Sequence, residues 1–280
     1  ARGEIARSHD SGFVAMSAEG CSSFALVGAG DGHVYCGQNW DWGAGVLDTT
    51  IMLRVVQPPL PTVLMQVEAG QVGRHGANSA GIALNANGLD GAFGSPPGVP
   101  QPVLRRMILD SATLRDALAV PYRVRAHIAT NLLLTHRDGI AVDLETTPLG
   151  HRWGHPRDGV LVHGNHYQYG IPEGLAPGYA PSSVDSLYRV PVIERGLAGA
   201  GEATDSEAVR KVVQATMSDH SGHPHGVCAH EVPADAPTER YRTVMSSLVD
   251  LTAGEYRVLR GNPCEGGYEL LPWDLYDGPG

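Results

Sequence analysis

Three observations predict a layered α+β domain built from antiparallel sheets. The pattern of apolar residues changes period along the chain in the order strands, two helices, strands, two helices, strands. Such grouping of helices between hairpins suits layered packing and not the regular alternation of a parallel doubly wound fold. The 280 residues are 42% hydrophobic and only 18% charged, enough apolar material for one large core. Thirty-six glycines and 20 prolines imply many turns between short elements. With no internal repeat and no clear linker, residues 1–280 read as a single domain.

Residues 1–20 carry little periodicity, a polar loop at 8–12 and one short apolar piece at 13–16. Strands at 24–27 and 33–36 form a hairpin around Gly28-Ala29-Gly30-Asp31-Gly32. It leads into Gly37-Gln38-Asn39-Trp40-Asp41-Trp42, whose two tryptophans and three polar groups are unusual for a surface loop. Strands at 51–56 and 62–67 are separated by the prolines of 58–61, which forbid a continuous ladder. The glycine-rich stretch 73–95 holds a strand at 81–89 that enters a turn beside a ligand space. Helical spacing of Val103, Leu104, Met107 and Ile108 predicts one helix, and Leu114, Ala117 and Leu118 a second.

Strand pattern returns at 126–145, turning through Arg137-Asp138-Gly139, and again at 160–163. A helix at 184–195 is expected to kink or break at Pro191. Another at 207–217 is entered through Thr204-Asp205-Ser206-Glu207, a capping-box arrangement. A last hairpin pairs 243–251 with 256–259 around Ala253-Gly254.

The net charge of -10 and the absence of a basic run argue against nucleic acid as a partner. No apolar run approaches the roughly 20 residues of a membrane helix, and nothing resembles a signal peptide. Four widely spaced cysteines in a chain too large to need staples suit a reducing, cytoplasmic compartment. Of these, Cys36, Cys228 and Cys264 read as inert core residues.

Gly20-Cys21 is the dipeptide that can carry chemistry. A thiol at neutral pH is only slightly ionised unless a base takes its proton. A cysteine at a new chain terminus has such a base in its own α-amine, with a pKa near 7.7 to 8.0. Gly20, lacking a Cβ, permits the strained conformation of an N-to-S acyl shift. From the dipeptide alone, a buried core cysteine is the competing reading.

Further blocks carry a family resemblance: Glu19-Gly20-Cys21-Ser22-Ser23-Phe24-Ala25, Gly37-Gln38-Asn39-Trp40-Asp41-Trp42, Asn131-Leu132-Leu133-Leu134, His163-Gly164-Asn165-His166-Tyr167, Ser218-Asp219-His220 with Val227-Cys228, and Asn262-Pro263-Cys264. Together, over nearly the whole chain, they resemble the acyl-coenzyme A:6-aminopenicillanic acid acyltransferase family, the C45 group of self-processing N-terminal-nucleophile hydrolases. The resemblance implies an αββα four-layer sandwich, two antiparallel sheets flanked by helices. It implies a zymogen that cuts itself between Gly20 and Cys21, leaving 1–20 as the end of an α-segment, most of which the numbered chain lacks, and 21–280 as a β-subunit with an N-terminal nucleophile. The product would be an α/β heterodimer or a higher assembly of it. Cys21 would then take the acyl group of a small amide or thioester and pass it to water or to an acceptor amine. Asn165 is the implied oxyanion donor, Asp41 the group that orients the amine or a pocket residue, and Ser23 a hydroxyl used in processing. No cofactor and no metal is implied. Two departures stand out: Cys21-Ser22 where relatives usually have Cys-Thr, and Gly226-Val227-Cys228 without the serine many relatives carry.

The alternative is a metal site. Residues 219–230 hold His220, His223, His225 and His230 with Cys228 and Asp219, a density that can bind zinc although it matches no standard spacing closely. On that reading the protein is a zinc-dependent hydrolase or a zinc-stabilised binding protein.

Overall fold

The computed structural model describes residues 20–91, 93 and 97–277. Expectations for the loop at 8–12, the apolar piece at 13–16 and residues 1–19 of the α-segment lie outside the described residues.

The first half runs β1 (Gly20–Leu26), β2 (Tyr35–Gly43), β3 (Thr50–Val55), β4 (Val63–Glu68), β5 (His75–Asn78), β6 (Ile82–Gly88), then helices α1 (Gln101–Leu109) and α2 (Leu114–Arg123). Strands β7 (Thr130–His136), β8 (Ile140–Thr147), β9 (Gly150–Gly154) and β10 (Val160–His163) follow. Helices α3 (Ser186–Leu197) and α4 (Ser206–Met217) and strands β11 (Tyr241–Asp250), β12 (Glu255–Arg260) and β13 (Glu269–Leu270) complete the chain. One sheet has six strands in the order β10-β1-β2-β11-β12-β13; the other has seven, β3 to β9 in sequence. Every pairing within them is antiparallel.

Side-chain alternation divides the interior into three apolar layers. Phe24, Leu26, Tyr35 and Leu248 of the first sheet pack under Val190, Ile193 and Leu197 of α3 and Val209, Val213 and Met217 of α4. Their neighbours Ala25, Cys36, Leu161 and Val249 point the other way and meet Leu64, Ala77, Ala83 and Leu133 of the second sheet. Beyond that, Val63, Met65, Ile82, Leu84 and Leu132 pack on Leu104 and Ile108 of α1 and Ala117 and Val120 of α2. The αββα sandwich is therefore observed.

Some boundaries differ from the sequence reading. The Gln38-Trp42 block is part of β2, because central strands of a covered sheet bury both faces and its polar groups find partners inside. Strands β5 and β9 were not visible in the pattern, β5 being four residues long and β9 mostly half-buried. Helix α3 runs through Pro191 unbroken. The bond that proline cannot make would reach back one turn to Leu187, and both residues lie on the exposed face, where water can replace it. Helix α4 is capped by Asp205, whose carboxylate accepts from Ala208 N at 2.8 Å. No helix among the described residues is long and apolar enough to cross a membrane.

Candidate active site

Cys21 is the second residue of β1, held between β2 and the loop that leaves β10. The β1–β10 ladder pairs Ser23 with His163. Continued by two residues, that register sets Asn165 beside Cys21, and Cys21 N donates to Asn165 Oδ1 at 2.8 Å. On the other edge Gly20 pairs with Asp41 and Cys21 with Trp40. Alternation turns the Cys21 side chain toward the second sheet, among Trp40, Trp42, Met52 and Met245. It turns Ser22 and Asp41 toward the helical layer.

Arg189 of α3 ties these parts together. Its guanidinium donates to the Cys21 carbonyl at 2.8 Å, to Ser22 Oγ at 2.7 Å and to Asn165 Oδ1 at 2.9 Å, while Nε meets Asp185 at 2.6 Å. Asn165 has its own supports: its backbone N–H donates to Ser186 Oγ at 2.6 Å and its Nδ2 to the Gly88 carbonyl at 3.2 Å. With two donors on Oδ1 and a carbonyl on Nδ2, the orientation of the amide is fixed by its partners. Asn165 thus meets Cys21 N through its carbonyl oxygen, while one N–H of its Nδ2 is given to Gly88.

A second asparagine, Asn87 of β6, crosses between the sheets and donates to the Cys21 carbonyl at 3.1 Å and the His163 carbonyl at 2.7 Å. Gln38 makes a parallel bridge, donating to Ala86 O at 2.8 Å and accepting from Ala86 N at 3.1 Å. Ser23 is buried, and its hydroxyl reaches the His163 carbonyl at 3.5 Å. That places it in the strand ladder, two residues along β1 from Cys21.

Asp41 lies against this centre at 1% exposure. Burial pushes its carboxyl up to about 7, against the opposing pull of Arg189 and the bond from Thr243 Oγ1 at 2.6 Å. Tyr241, half-buried as a residue, sets its hydroxyl beside it; desolvation of the phenol first and then the Asp41 charge hold it well above its ordinary range. A Cβ built on Gly20 would overlap the Tyr241 hydroxyl and come within 3.0 Å of Asp41 Oδ2, so this backbone position admits glycine alone without movement.

Behind Asn87 lies a buried cluster of His163, Glu145 and Asp143. His163 Nε2 is 3.1 Å from Glu145 Oε1 and 3.7 Å from Asp143 Oδ2. Burial opposes a charge on the ring, but the two carboxylates outweigh it and raise its pKa. Asp143 is held by Asn131 and by the Tyr169 hydroxyl at 2.8 Å. Glu145 also lines a surface cleft of about 360 Å³ with Arg152, Tyr167 and Glu173. None of Cys21, Asp41 or Asn165 lines that cleft.

Of the residues singled out from sequence, the structure brings Gly20, Cys21, Asp41 and Asn165 together and leaves Ser23 one strand-step away. Asn87, Arg189, Thr243 and Tyr241 were missed. Arg189 did leave a signal, since Ser186, Arg189, Val190, Ile193 and Leu197 share one helical face and a cation on an apolar stripe needs a buried partner. Cys264 is exposed and beside Cys228, which corrects its expected place in the core.

Comparisons with known proteins agree with this architecture. The family model described as acyl-coenzyme A:6-aminopenicillanic acid acyl-transferase matches residues 28–263, a span that includes Asp41 and Asn165 and begins after Cys21. The acyl-coenzyme A:6-aminopenicillanic-acid-acyltransferase 40 kDa form of Emericella nidulans is 34% identical over 155 residues, 51% of this chain. The aligned stretch spans 43% of that relative, so the two chains share less than half its length. Among solved structures, conjugated bile acid hydrolase from Clostridium perfringens superposes with a TM-score of 0.60 at 11% identity, covering 92% of this chain and 95% of the other. Penicillin V acylase from Agrobacterium tumefaciens gives 0.55 at 15% identity, covering 86% and 83%. At such identities these likenesses speak for the fold.

Proposed function

The chain belongs to the acyl-coenzyme A:6-aminopenicillanic acid acyl-transferase family, and on that premise we propose that it is a self-processing amidohydrolase or acyltransferase with Cys21 as N-terminal nucleophile. The observation that carries the reading is the 2.8 Å contact from Cys21 N to Asn165 Oδ1, supported from behind by Arg189. Residues 1–20 would be the end of the α-segment and 21–280 the β-subunit, together an α/β heterodimer.

In processing, the Cys21 thiol attacks the Gly20 carbonyl, the C–N bond breaks to free the α-amine and leave a thioester on the Cys21 sulfur, and water hydrolyses that thioester, returning the thiol and leaving Gly20 as a carboxylate. Gly20 suits this step because its missing Cβ leaves room for the Tyr241 hydroxyl and the Asp41 carboxyl on that side of the bond. Ser23 acts as a positioning residue through the His163 carbonyl it shares with Asn87.

After cleavage the amine of Cys21, with a pKa near 7.7 to 8.0 for an ordinary α-amine, takes the proton of its own thiol. The thiolate attacks an amide or thioester carbonyl, the leaving group departs with that proton, and the acyl-enzyme is resolved by water or an amine. Asn165 Oδ1 accepts one amine N–H and so directs the lone pair; Asp41 orients the same amine from the opposite edge. Asn165 Nδ2 spends one N–H on the Gly88 carbonyl and keeps a second, so the same residue serves the oxyanion as a donor. The substrate class is small acyl thioesters and amides, the chemistry the family's name contains. The cysteine usage suits a cytoplasmic setting.

Intact mass and amino-terminal sequencing of the purified protein test the reading. A break before Cys21 that is lost in Cys21→Ala is expected; a single uncut chain in fully active enzyme refutes it.

A further inference from the structure

Away from Cys21, two histidines and two cysteines converge at one point on the surface. His220 and the buried Cys228 lie in the loop after α4, His230 two residues further, and Cys264 in the turn after β12. Their four ligand atoms lie within 4.8 Å of one another. His220 Nε2 to His230 Nε2 is 3.0 Å, Cys228 Sγ to His230 Nε2 is 3.5 Å, Cys264 Sγ to His230 Nε2 is 3.5 Å, and the two sulfurs are 3.6 Å apart.

Hydrogen bonding alone cannot account for this. Three neighbours converge on His230 Nε2, which offers either one proton or one lone pair and can satisfy one of them. A central cation satisfies all four atoms at once. With Zn–S near 2.3 Å and Zn–N near 2.0 to 2.1 Å, a tetrahedron places sulfurs about 3.8 Å apart, sulfur and nitrogen about 3.6 Å, and nitrogens about 3.3 Å. These four separations fall within about 0.3 Å of these values, and the two from His220 to the sulfurs lie within 4.8 Å, so closing the tetrahedron asks for a small swing of the exposed His220 ring. Asn262 Nδ2 also donates to Cys228 Sγ at 3.3 Å, the kind of outer bond that holds a ligating thiolate in place.

We propose that His220, Cys228, His230 and Cys264 form a structural zinc site. Four protein donors close a tetrahedral sphere and leave no position for a catalytic water, so the site holds the chain and does not hydrolyse substrate. Binding is balanced by loss of the two thiol protons to solvent, with no change of oxidation state. What it would hold is close to the scissile bond. Asn39 of β2 fastens both sides of the loop, donating to Met217 O and Val227 O at 2.8 Å each. Ala229 N, between two of the ligands, donates to Thr243 Oγ1 at 3.0 Å, and that hydroxyl donates to Asp41 Oδ1. The metal would fix the loop against which Thr243 and Asp41 are set, independently of whether Cys21 is the nucleophile.

The test is metal analysis of the full chain, purified under reducing conditions without chelator from zinc-supplemented medium. About one zinc per chain is expected, released stoichiometrically to a colorimetric dye when a mercurial blocks the thiols. Cobalt(II) in its place should show the thiolate charge-transfer band and strong visible absorption of a tetrahedral site. Cys264→Ser, at an exposed turn where folding is least at risk, should lower zinc affinity by more than about tenfold and lower the melting temperature, with no further fall on adding chelator. Zinc below about a tenth per chain, iron or copper in its place, or a Cys228–Cys264 disulfide in the reduced preparation would each overturn the proposal.

Discussion

Replacing Asp41 by asparagine separates its titration from its packing. Asp41 is buried, and burial raises its carboxyl to about 7. Because the folded pKa lies above the unfolded one, the native state holds the proton more tightly. Its contribution is therefore fully present below the unfolded value near 4 and is lost as pH rises through about 7. At about 1.36 kcal/mol per unit, the loss reaches about 4 kcal/mol above neutrality. Asparagine keeps an oxygen for the Thr243 hydroxyl and removes the charge. Urea unfolding of Cys21→Ala and of Cys21→Ala/Asp41→Asn, from about pH 4 to pH 8, measures the difference in chains that both remain uncut. The chain with Asp41 should lose about 3 to 4 kcal/mol relative to the asparagine chain over that range. His163, whose pKa is also raised and whose contribution falls in the same direction, is common to both and cancels. Parallel stability curves would refute the assignment of Asp41 as a buried, proton-holding carboxyl.

Other substitutions address the remaining parts. Gly20→Ala sets a methyl against the Tyr241 hydroxyl, and should lower the urea midpoint by the equivalent of about 1 to 3 kcal/mol of overpacking, partly restored by adding Tyr241→Phe. Arg189→Ala strands Asp185 and leaves the Cys21 carbonyl, Ser22 and Asn165 short of a donor; a loss of about 3 to 5 kcal/mol by chemical unfolding is expected. Arg189→Lys should rescue little, since an ammonium cannot reproduce the planar fork. Asn165→Leu removes the acceptor for Cys21 N, and should slow processing about 10- to 100-fold in a time course followed by mass, the effect of one buried hydrogen bond of about 1.4 to 3 kcal/mol.

The fold was legible because periodicity and grouping both survive packing. Helices α1 to α4 were all found, and the hairpins β3–β4, β7–β8 and β11–β12 fell within a few residues of their expected places. What escaped were short strands such as β5, whose four residues carry no periodic signal, and the inclusion of Gln38–Trp42 in β2, where burial of both faces erases alternation. At the site, local motifs gave Gly20, Cys21, Asp41 and Asn165. Asn87 and Thr243 were invisible because their importance lies in pairing across sheets and strands far apart in sequence, Thr243 being opposite Asp41 only through the β2–β11 ladder. The amide orientation of Asn165 was likewise beyond sequence: it follows from Gly88 and Arg189 lying on opposite ends of one side chain. Cys264 joined His220 and Cys228 for the same reason, through a turn 34 residues past His230.

The most direct measurement is trapping of the acyl-enzyme. The cleaved protein would be mixed with a panel of acyl thioesters and amides, quenched in acid, and mapped by peptide mass spectrometry. An acyl group on the sulfur of an amino-terminal Cys21, absent in Cys21→Ala together with turnover, is the predicted result. An acyl group on any other residue, or turnover that persists without the Cys21 thiol, would contradict the assignment of Cys21 as the nucleophile.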